Sequence, residues 1–540
     1  MKRFLVPILL VLTFILLAFA TLKYSIAIWL LIPVTMLILV SIWDSVQARH
    51  SLRRNYPLVG RARWFFESLR PYLRSYIVES DLDGRPFSHN ERALVYARSK
   101  DDISSHPFGT ELNVYSEEHD WLNHSIFPNE NIPAEFRIDV GGPQCDRPYS
   151  TAILNISAMS FGSLGANAIQ ALNLGAKMGG FYHDTGEGGF SKYHAQHGGD
   201  IVWQLGSGYF GCRDADGNFD AEQFALTANL DAVKMIEIKL SQGAKPGHGG
   251  VLPAAKVTDE IAEARNVPMG QDCISPAAHT AFSTPIEMLK FASELRRLSG
   301  GKPVGIKLCV GQPHEIFAIM KAMLETRIYL DFVVVDGAEG GTGAAPVELS
   351  DKIGTPLREG LILVNNALIG TGLRQHVRVA AAGKVTSGAN LAMNTALGAD
   401  WSNAARGFMF SLGCVQSMKC HTDNCPTGIA TQDPKRQRGI VVTDKARRVQ
   451  RFQQQTAAAL RDIVIAMGLE SPWQIRPHHL YERLNAVKSS SIDHIYPFLK
   501  DGALLDAPEK TPYAKFWAAA RADSFRAEMG KRQTSYEEAA

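Results

Sequence analysis

Three thiols crowd together in a chain that has few. Cys414, Cys420 and Cys425 fall within twelve residues of "GCVQSMKCHTDNCPTGIATQ", Gly413 to Gln432, while the remaining four, Cys145, Cys212, Cys273 and Cys309, are scattered. The spacing, C-x5-C-x4-C with Pro426 after the last, admits three readings. Iron–sulfur clusters take thiolates from short loops, and three thiolates suit a three-iron, four-sulfur cluster with one protein ligand per iron. A structural zinc wants four ligands, often from C-x2-C pairs; His421 is a candidate fourth, but it adjoins Cys420, and neighbours rarely reach one tetrahedron together. The third reading is coincidence. Seven cysteines in 540 residues do not make a disulfide framework.

Glycine supplies the second signal. Glycine is abundant at 46, and the Gly-rich stretches "DTGEGGF" and "GGTGAAP" lie inside apolar surroundings. That pattern suits backbone brought close to a ligand. The elements that would carry these loops alternate. Candidate strands are Ala152–Ser157, Ile201–Leu205, Met235–Lys239, Val304–Leu308, Phe332–Asp336 and Val377–Ala382. Candidate helices are Ala166–Met178, Pro285–Leu298, Glu315–Glu325 and Ala389–Leu397. Buried β-rich runs alternating with helices predict a parallel sheet. Several runs end directly in glycine or charge, as in "IKLSQGAKPG", "IKLCVG", "VVVDGAEGGTG" and "AAAGKVTSG". Ligand groups at the ends of many strands describe a (β/α)8 TIM barrel better than a doubly wound sheet with one switch point. "GTGL", Gly370 to Leu373, follows no clear strand and is not read as a dinucleotide fingerprint.

The chain is nearly charge-balanced, 56 Lys+Arg against 54 Asp+Glu, so no broad basic field argues for nucleic acid. Its N-terminus reads as membrane. Phe4–Leu22 and Ile26–Trp43 are apolar and uncharged, and each approaches the ~20 residues of a spanning helix. Lys2, Arg3 and "AFA" at Ala18–Ala20 would also fit a cleaved signal peptide. Arg49, Arg53, Arg54, Arg61 and Arg63 follow the second stretch, a flank that stays cytoplasmic. The expected organisation is a transmembrane helix or hairpin at 1–45, a juxtamembrane segment at 46–140 with turns and loop in "ESDLDGRPFSHNER", the barrel at 141–485, and a tail at 486–540 that is helical or partly disordered. The expected location is the inner membrane, with the catalytic domain in the cytoplasm.

In this order the motifs resemble the glutamate synthases, in particular the short, membrane-anchored, FMN-binding form. The resemblance runs from about 150 to 435 and rests on "SAMSFGS" (Ser157–Ser163), "DTGEGG" (Asp184–Gly189), "EIKLSQGAKPGHGGVLP" (Glu237–Pro253), "ISP" (Ile274–Pro276), "VGIKL" (Val304–Leu308), "DGAEGGTGAAP" (Asp336–Pro346) and the cysteine loop. It implies a (β/α)8 barrel with FMN in its mouth and a 3Fe-4S cluster on Cys414, Cys420 and Cys425 beside it. It implies flavin contacts from Met159 and Ser160, a cation at Lys307 facing the reduced flavin, and close backbone approach at Gly340, Gly341, Thr342 and Gly343. Gly383, Lys384 and Gly388 are then the phosphate candidates, with Arg406 a second phosphate contact. Glu187, Gln242 and Lys245 map to the substrate, where Lys pairs with a carboxylate and Glu and Gln position ammonia and the imine.

The sequence departs from the larger family members at "KPGHGGVLPA", where His248 and Val251 replace Glu and Gln, and at Ala338-Glu339 before Gly340. Both changes are expected at the substrate mouth. No N-terminal Cys nucleophile of a glutaminase is evident. The resemblance therefore implies reductive amination of a 2-oxo acid, 2-oxoglutarate to L-glutamate. Electrons would come from a ferredoxin or reductase subunit, and nitrogen from ammonia, an amine or a separate glutaminase. Run in reverse, the same groups would make an amine or amino-acid dehydrogenase feeding a membrane acceptor. A barrel that no longer turns over would be a partner-dependent subunit.

Overall fold

The computed structural model describes residues 5–527 apart from His106 and His248. The chain divides into two compact units, Met1–Gly84 and Arg85–Ala540.

In the first unit, apolar helices Leu5–Ala20 and Ala27–Val46 pack on one another across a short turn. They correspond to the two apolar stretches read from the sequence; Phe4 lies outside the described residues. Ala27–Val46 spans about 30 Å at ~1.5 Å per residue. Among the described residues it is the one helix long and apolar enough to cross a membrane. The Arg-rich flank folds back on its end. Asp44, wholly buried, accepts from Arg61 Nη2 and Nε at 2.7 and 2.8 Å and from the Leu58 amide at 3.1 Å. The following segment carries helices that the sequence reading did not anticipate, Ser51–Asn55 and Ala62–Leu73.

The second unit is built on eight parallel strands: β1 Leu154–Ile156, β2 His183–Asp184, β3 Ile201–Leu205, β4 Val233–Lys239, β5 Val304–Leu308, β6 Phe332–Asp336, β7 Arg378–Ala382 and β8 Trp401–Ala404. Each pairs with the next in chain order, and β8 pairs with β1, so the sheet closes. The expected (β/α)8 barrel is the observed fold. β3, β5 and β6 match the expected bounds to the residue, because both faces are buried and the runs are apolar. Two strands went unread. His183–Asp184 is two residues long, and Trp401–Ala404 places Ser402 and Asn403 in the interior. Helices such as Ala166–Gly179, Pro285–Leu298, Pro313–Thr326 and Leu357–Gly370 form the outer layer. The 25-residue helix Val442–Ala466 packs on Ala166–Gly179, on Gly388–Ala396 and on His89–Lys100. The last of these helices opens on a capping box between Ser88 and Glu91. The tail, expected to be helical or partly disordered, folds through residue 527 into short elements. Ala503–Asp506 packs on Leu357–Gly370, and Ala514–Ala519 on Pro313–Thr326. Residues 528–540 lie outside the described residues.

At the end of the barrel where the strands begin, the same device appears twice. Asp331, just before β6, accepts the Val304 amide at 2.7 Å, the Arg296 guanidinium at 2.9 and 3.1 Å, and the Gly142 amide at 2.7 Å. Asp400, just before β8, accepts the Val379 amide at 2.7 Å and Arg374 at 2.9 Å. A carboxylate thus joins each strand start to its neighbour, with an Arg to balance the charge. Asp331→Ala leaves Arg296, itself 5% exposed, as a buried charge without its partner. The expected cost is about 3–5 kcal/mol, read as a large fall in the thermal midpoint of the barrel. A shift no larger than that of a surface Asp→Ala control would show that Asp331 does not hold these strands together.

Candidate functional site

The strand ends open into one cavity, and Lys307 lies on its floor. Lys307 is the penultimate residue of β5. Its side chain is 7% exposed, and its Nζ lies 3.9 Å from the Asp336 carboxylate at the end of β6. Burial disfavours the ammonium, but Asp336, Glu237, Asp184 and Glu187 outweigh it and hold the pKa above the usual lysine value. The residue is a fixed cation.

One wall is the expected substrate side. Glu187 follows β2, while Gln242 and Lys245 follow β4, and all three line the cavity. Glu187 forms an ion pair with Lys239 at 3.0 Å. Burial raises the Glu187 pKa, but Lys239, Lys245 and Arg265 overcome this and keep the carboxylate ionised. Burial lowers the Lys245 pKa and Lys239 adds to that, while Glu187 opposes both. Lys245 Nζ donates to the Gly249 carbonyl at 3.2 Å. Gly243 lets this loop close. A Cβ there would lie 1.8 Å from the Gly337 carbonyl oxygen, and the Gly243 amide donates to Asp336 at 2.9 Å.

The cavity is also lined by Met159 and Ser160, which lie against the Gly186–Gly188 turn that carries Glu187, and by Gly340, Gly341, Thr342, Gly343, Gly383, Lys384 and Arg406. Arg406 Nη2 donates to the Thr342 carbonyl at 3.1 Å, which ties the start of helix Arg406–Ser411 to the glycine loop. Lys384 Nζ sits 5.9 Å from the Phe87 ring centroid. Gly388 does not line the cavity. A Cβ there would meet the Leu460 amide at 2.6 Å, so the residue is glycine to admit helix Val442–Ala466. The helix it begins is capped internally. Asn390 Oδ1 accepts the Thr386 and Ser387 amides, and Ser387 Oγ accepts the Asn390 amide.

Of the departures noted in the sequence, Val251 lines the cavity as expected, and it pairs with Ile274 in a short antiparallel ladder. Glu339 borders the cavity, but its carboxylate accepts the Leu357 amide at 3.0 and 3.3 Å and caps that helix. His248 lies outside the described residues.

The cysteine loop reaches the same cavity, where Cys420 and His421 line its wall. A Cβ on Gly343 would be 3.7 Å from Cys420 Cβ. Cys414 and Cys425 are buried behind. Burial pushes the Cys414 thiol up to about 11, and the charges of Cys420 and Cys425 act on it in the same direction. Burial also raises Cys425, but amides of Ala430, Thr427 and Ile429 and the Thr427 hydroxyl point at its sulfur and hold its pKa below the usual value. Gln416 clamps the loop by exchanging hydrogen bonds with the Phe87 backbone at 3.2 and 3.1 Å. Among the described residues, no three His, Cys, Asp or Glu side chains are grouped to hold a single metal ion.

The sequence reading missed Lys239, Lys256, Arg265 and Gln204, all on the cavity wall. Lys239 lies in a quoted motif, and its place at the end of β4 was the available signal. Lys256 and Arg265 come from the excursion between β4 and β5, where spacing carries no information. Lys256 Nζ donates to the Cys420 carbonyl at 3.2 Å, and Arg265 Nη2 to the Phe161 carbonyl at 3.2 Å. The cavity is thus bordered by Lys239, Lys245, Lys256, Arg265, Lys307, Lys384 and Arg406 against Glu187, Asp336 and Glu339. It is built for an anionic ligand.

Comparison with known proteins gives a consistent picture. Residues 145–470 match the model of the conserved region in glutamate synthase. The chain is 35% identical over 505 residues to the glutamate synthase large subunit-like protein YerD of Bacillus subtilis, covering 86% of this chain and 96% of that one. It is 33% identical over 321 residues to an archaeal-type glutamate synthase [NADPH] of Thermotoga neapolitana, covering 59% of this chain and 60% of the relative. An archaeal glutamate synthase [NADPH] of Archaeoglobus fulgidus is 33% identical over 322 residues, with 59% and 60% covered.

Proposed function

The chain belongs to the glutamate synthase family, and from that premise we propose an FMN- and iron–sulfur-dependent oxidoreductase that reductively aminates a 2-oxo acid, 2-oxoglutarate to L-glutamate. One observation carries the reading. The rim cysteine Cys420, the floor cation Lys307 and the substrate-side pair Glu187 and Lys245 border a single cavity. An electron-entry loop and a substrate wall meet there across a space whose floor is positively charged.

The donor set fits FMN. Lys307 would face the isoalloxazine, the Gly340–Gly343 loop leaves room for close approach, and Arg406 and Lys384 would take the phosphate. Bound FMN would supply two-electron transfer to an imine from one-electron carriers. Lys245 and Arg265 bind a dicarboxylate, and Glu187 and Gln242 orient the nitrogen. Three thiols on one loop, one of them held by amide donors, fit a cluster better than a single ion. Nitrogen comes as ammonia, as an amine or from a separate glutaminase, and electrons from a ferredoxin or reductase subunit. In this reading Leu5–Ala20 and Ala27–Val46 anchor the chain in the inner membrane as a hairpin, with the barrel in the cytoplasm. The support is the length of Ala27–Val46 and the arginines that follow it.

Anaerobic, reduced protein tests the activity. Its flavin absorbance should return when 2-oxoglutarate and ammonia are added together. Reduction of oxidised protein by an amine would favour the reverse, dehydrogenase direction, and no response to either would remove the enzyme reading. Lys245→Met should keep FMN and weaken oxo-acid affinity by roughly ten- to a hundred-fold, from ~1.5–3 kcal/mol for a sheltered charge-assisted hydrogen bond. Lys307→Met should instead perturb the flavin without substrate; exchanged phenotypes would reverse the two assignments.

Cys420→Ser should lose iron and visible absorbance beyond the flavin while keeping FMN, because a hydroxyl is a hard, poor substitute for thiolate. Stoichiometric zinc without acid-labile sulfide in the intact protein would exclude the cluster.

For topology, a reporter that works only in the cytoplasm should be active when fused after Ala540. Activity of a periplasm-only reporter at that position would reverse the placement.

A further inference from the structure

The surface around the cysteine loop carries a charge that the chain as a whole does not. Residues 413–448 hold seven Lys and Arg against Asp423, Asp433 and Asp444, in a chain balanced at 56 against 54. The three acids are engaged locally. Asp423 Oδ1 accepts the Gln432 amide at 2.7 Å. Asp433 accepts the Lys435 amide at 2.9 Å and pairs with Arg436 at 3.4 Å, while Asp444 pairs with Arg448 at 3.1 Å and Lys445 at 3.5 Å. The balance is an excess of basic groups, of which Lys435, Arg436, Arg438 and Arg447 are exposed. Printed in the fold are two contacts that set this charge against the loop. Arg436 Nη2 donates to Asn424 Oδ1 at 3.3 Å, beside Cys425, and a Cβ on Gly413, beside Cys414, would lie 3.9 Å from Lys445 Nζ. Between Cys414 and Cys420 an apolar side chain stands out from the surface. Met418 is 61% exposed, on a backbone φ of 57° that residues other than glycine seldom adopt.

We propose that this basic face docks an acidic one-electron carrier protein, which meets the exposed Met418 and gives its electron to the cysteine loop. That electrons enter here rests on the iron–sulfur reading above. Complementary charge steers a carrier toward such a face and speeds association, an effect that weakens as salt screens it. Exposed Met and Arg together are the side chains over-represented where proteins meet. Each docked carrier is oxidised by one electron. The two electrons of one reductive amination therefore arrive in two docking events, and the first carrier must leave before the second arrives. Binding led by charge, with one apolar contact at Met418, suits that exchange. An anionic bilayer would also attract basic groups, but it has no need to centre them on three cysteines, whereas a carrier must come to that loop.

The test uses full-length holoprotein and a small acidic [2Fe–2S] ferredoxin, with two readouts: binding of the oxidised ferredoxin, and anaerobic reduction of the flavin by the reduced one. Wild-type protein should bind saturably at low salt and lose about ten-fold in affinity at high salt. Replacing three exposed cations together, Lys435→Gln, Arg438→Gln and Arg447→Gln, should weaken binding and slow ferredoxin-driven reduction about ten-fold at low salt. The corresponding glutamate variant should lose more. Reduction by the methyl viologen radical cation, which is too small to need a docking face and is not drawn to a basic one, should not slow in either variant. No binding of ferredoxin to the wild type, or equal binding and equal rates in all three proteins, overturns the docking face. A viologen rate that falls as far as the ferredoxin rate also overturns it, and makes these residues supports of the loop. Ferredoxin results equal across the three proteins, with the variants instead binding phosphatidylglycerol vesicles more weakly than wild type, assign the face to a membrane surface. If the wild type contains no acid-labile sulfide, the iron–sulfur reading fails, and the binding measurement still decides the face. Should the glutamate variant fail to fold, the glutamine variant carries both readouts.

Discussion

An ammonium inside a closed β-barrel must be compensated, and the compensation of Lys307 organises this molecule. The lysine cannot snorkel to solvent from β5, so charge must come to it. Asp336 brings it from the next strand, Glu237 from the strand paired on the other side, and Asp184 from β2. The same Asp336 accepts the Gly243 amide, so the carboxylate that balances the floor also fixes the loop bearing Gln242 and Lys245. Floor and substrate wall are therefore one electrostatic unit. A change in the charge of the floor reaches the wall through a single side chain.

The walls are held by backbone contacts as much as by side chains. Arg406 grips the Thr342 carbonyl, Lys256 the Cys420 carbonyl and Arg265 the Phe161 carbonyl. Each cation is anchored to the frame by these bonds while it lines the cavity. This is a preorganised arrangement, with positive charge set in place before a ligand arrives. Glu339 shows the complementary case, an acid beside the cavity whose oxygens are occupied by a helix start and so add little negative charge to the ligand space.

What was legible in the sequence follows from the same physics. The barrel could be read because apolar strands buried on both faces leave continuous runs, as in Ile201–Leu205 and Phe332–Asp336. It failed at β2, which is only two residues long, and at β8, whose interior is polar; Asn403 accepts from both Tyr182 Oη and Trp401 Nε1. Residues in compact motifs directly after strands, such as Glu187, Gln242, Lys245 and the Gly340–Gly343 loop, were found together on the cavity wall. Lys256 and Arg265 were invisible because they return to the cavity from a long excursion. Gly388 misled because a glycine after "TS" at a strand end looks the same whether it admits a phosphate or, as here, a neighbouring helix. Helix Val442–Ala466 was passed over because its buried positions, Val449, Phe452, Thr456, Leu460 and Val464, are separated by Gln, Ala and Arg.

The position of the cysteine loop completes the picture. Cys420 stands at the cavity rim against Gly343, while Cys414 and Cys425 lie deeper, with amides directed at the Cys425 sulfur. Electrons delivered at such a loop would reach the cavity beside the Gly340–Gly343 loop. The charges that border this cavity, Lys307, Lys245 and Arg265 among them, act most strongly once a bound ligand displaces water from it.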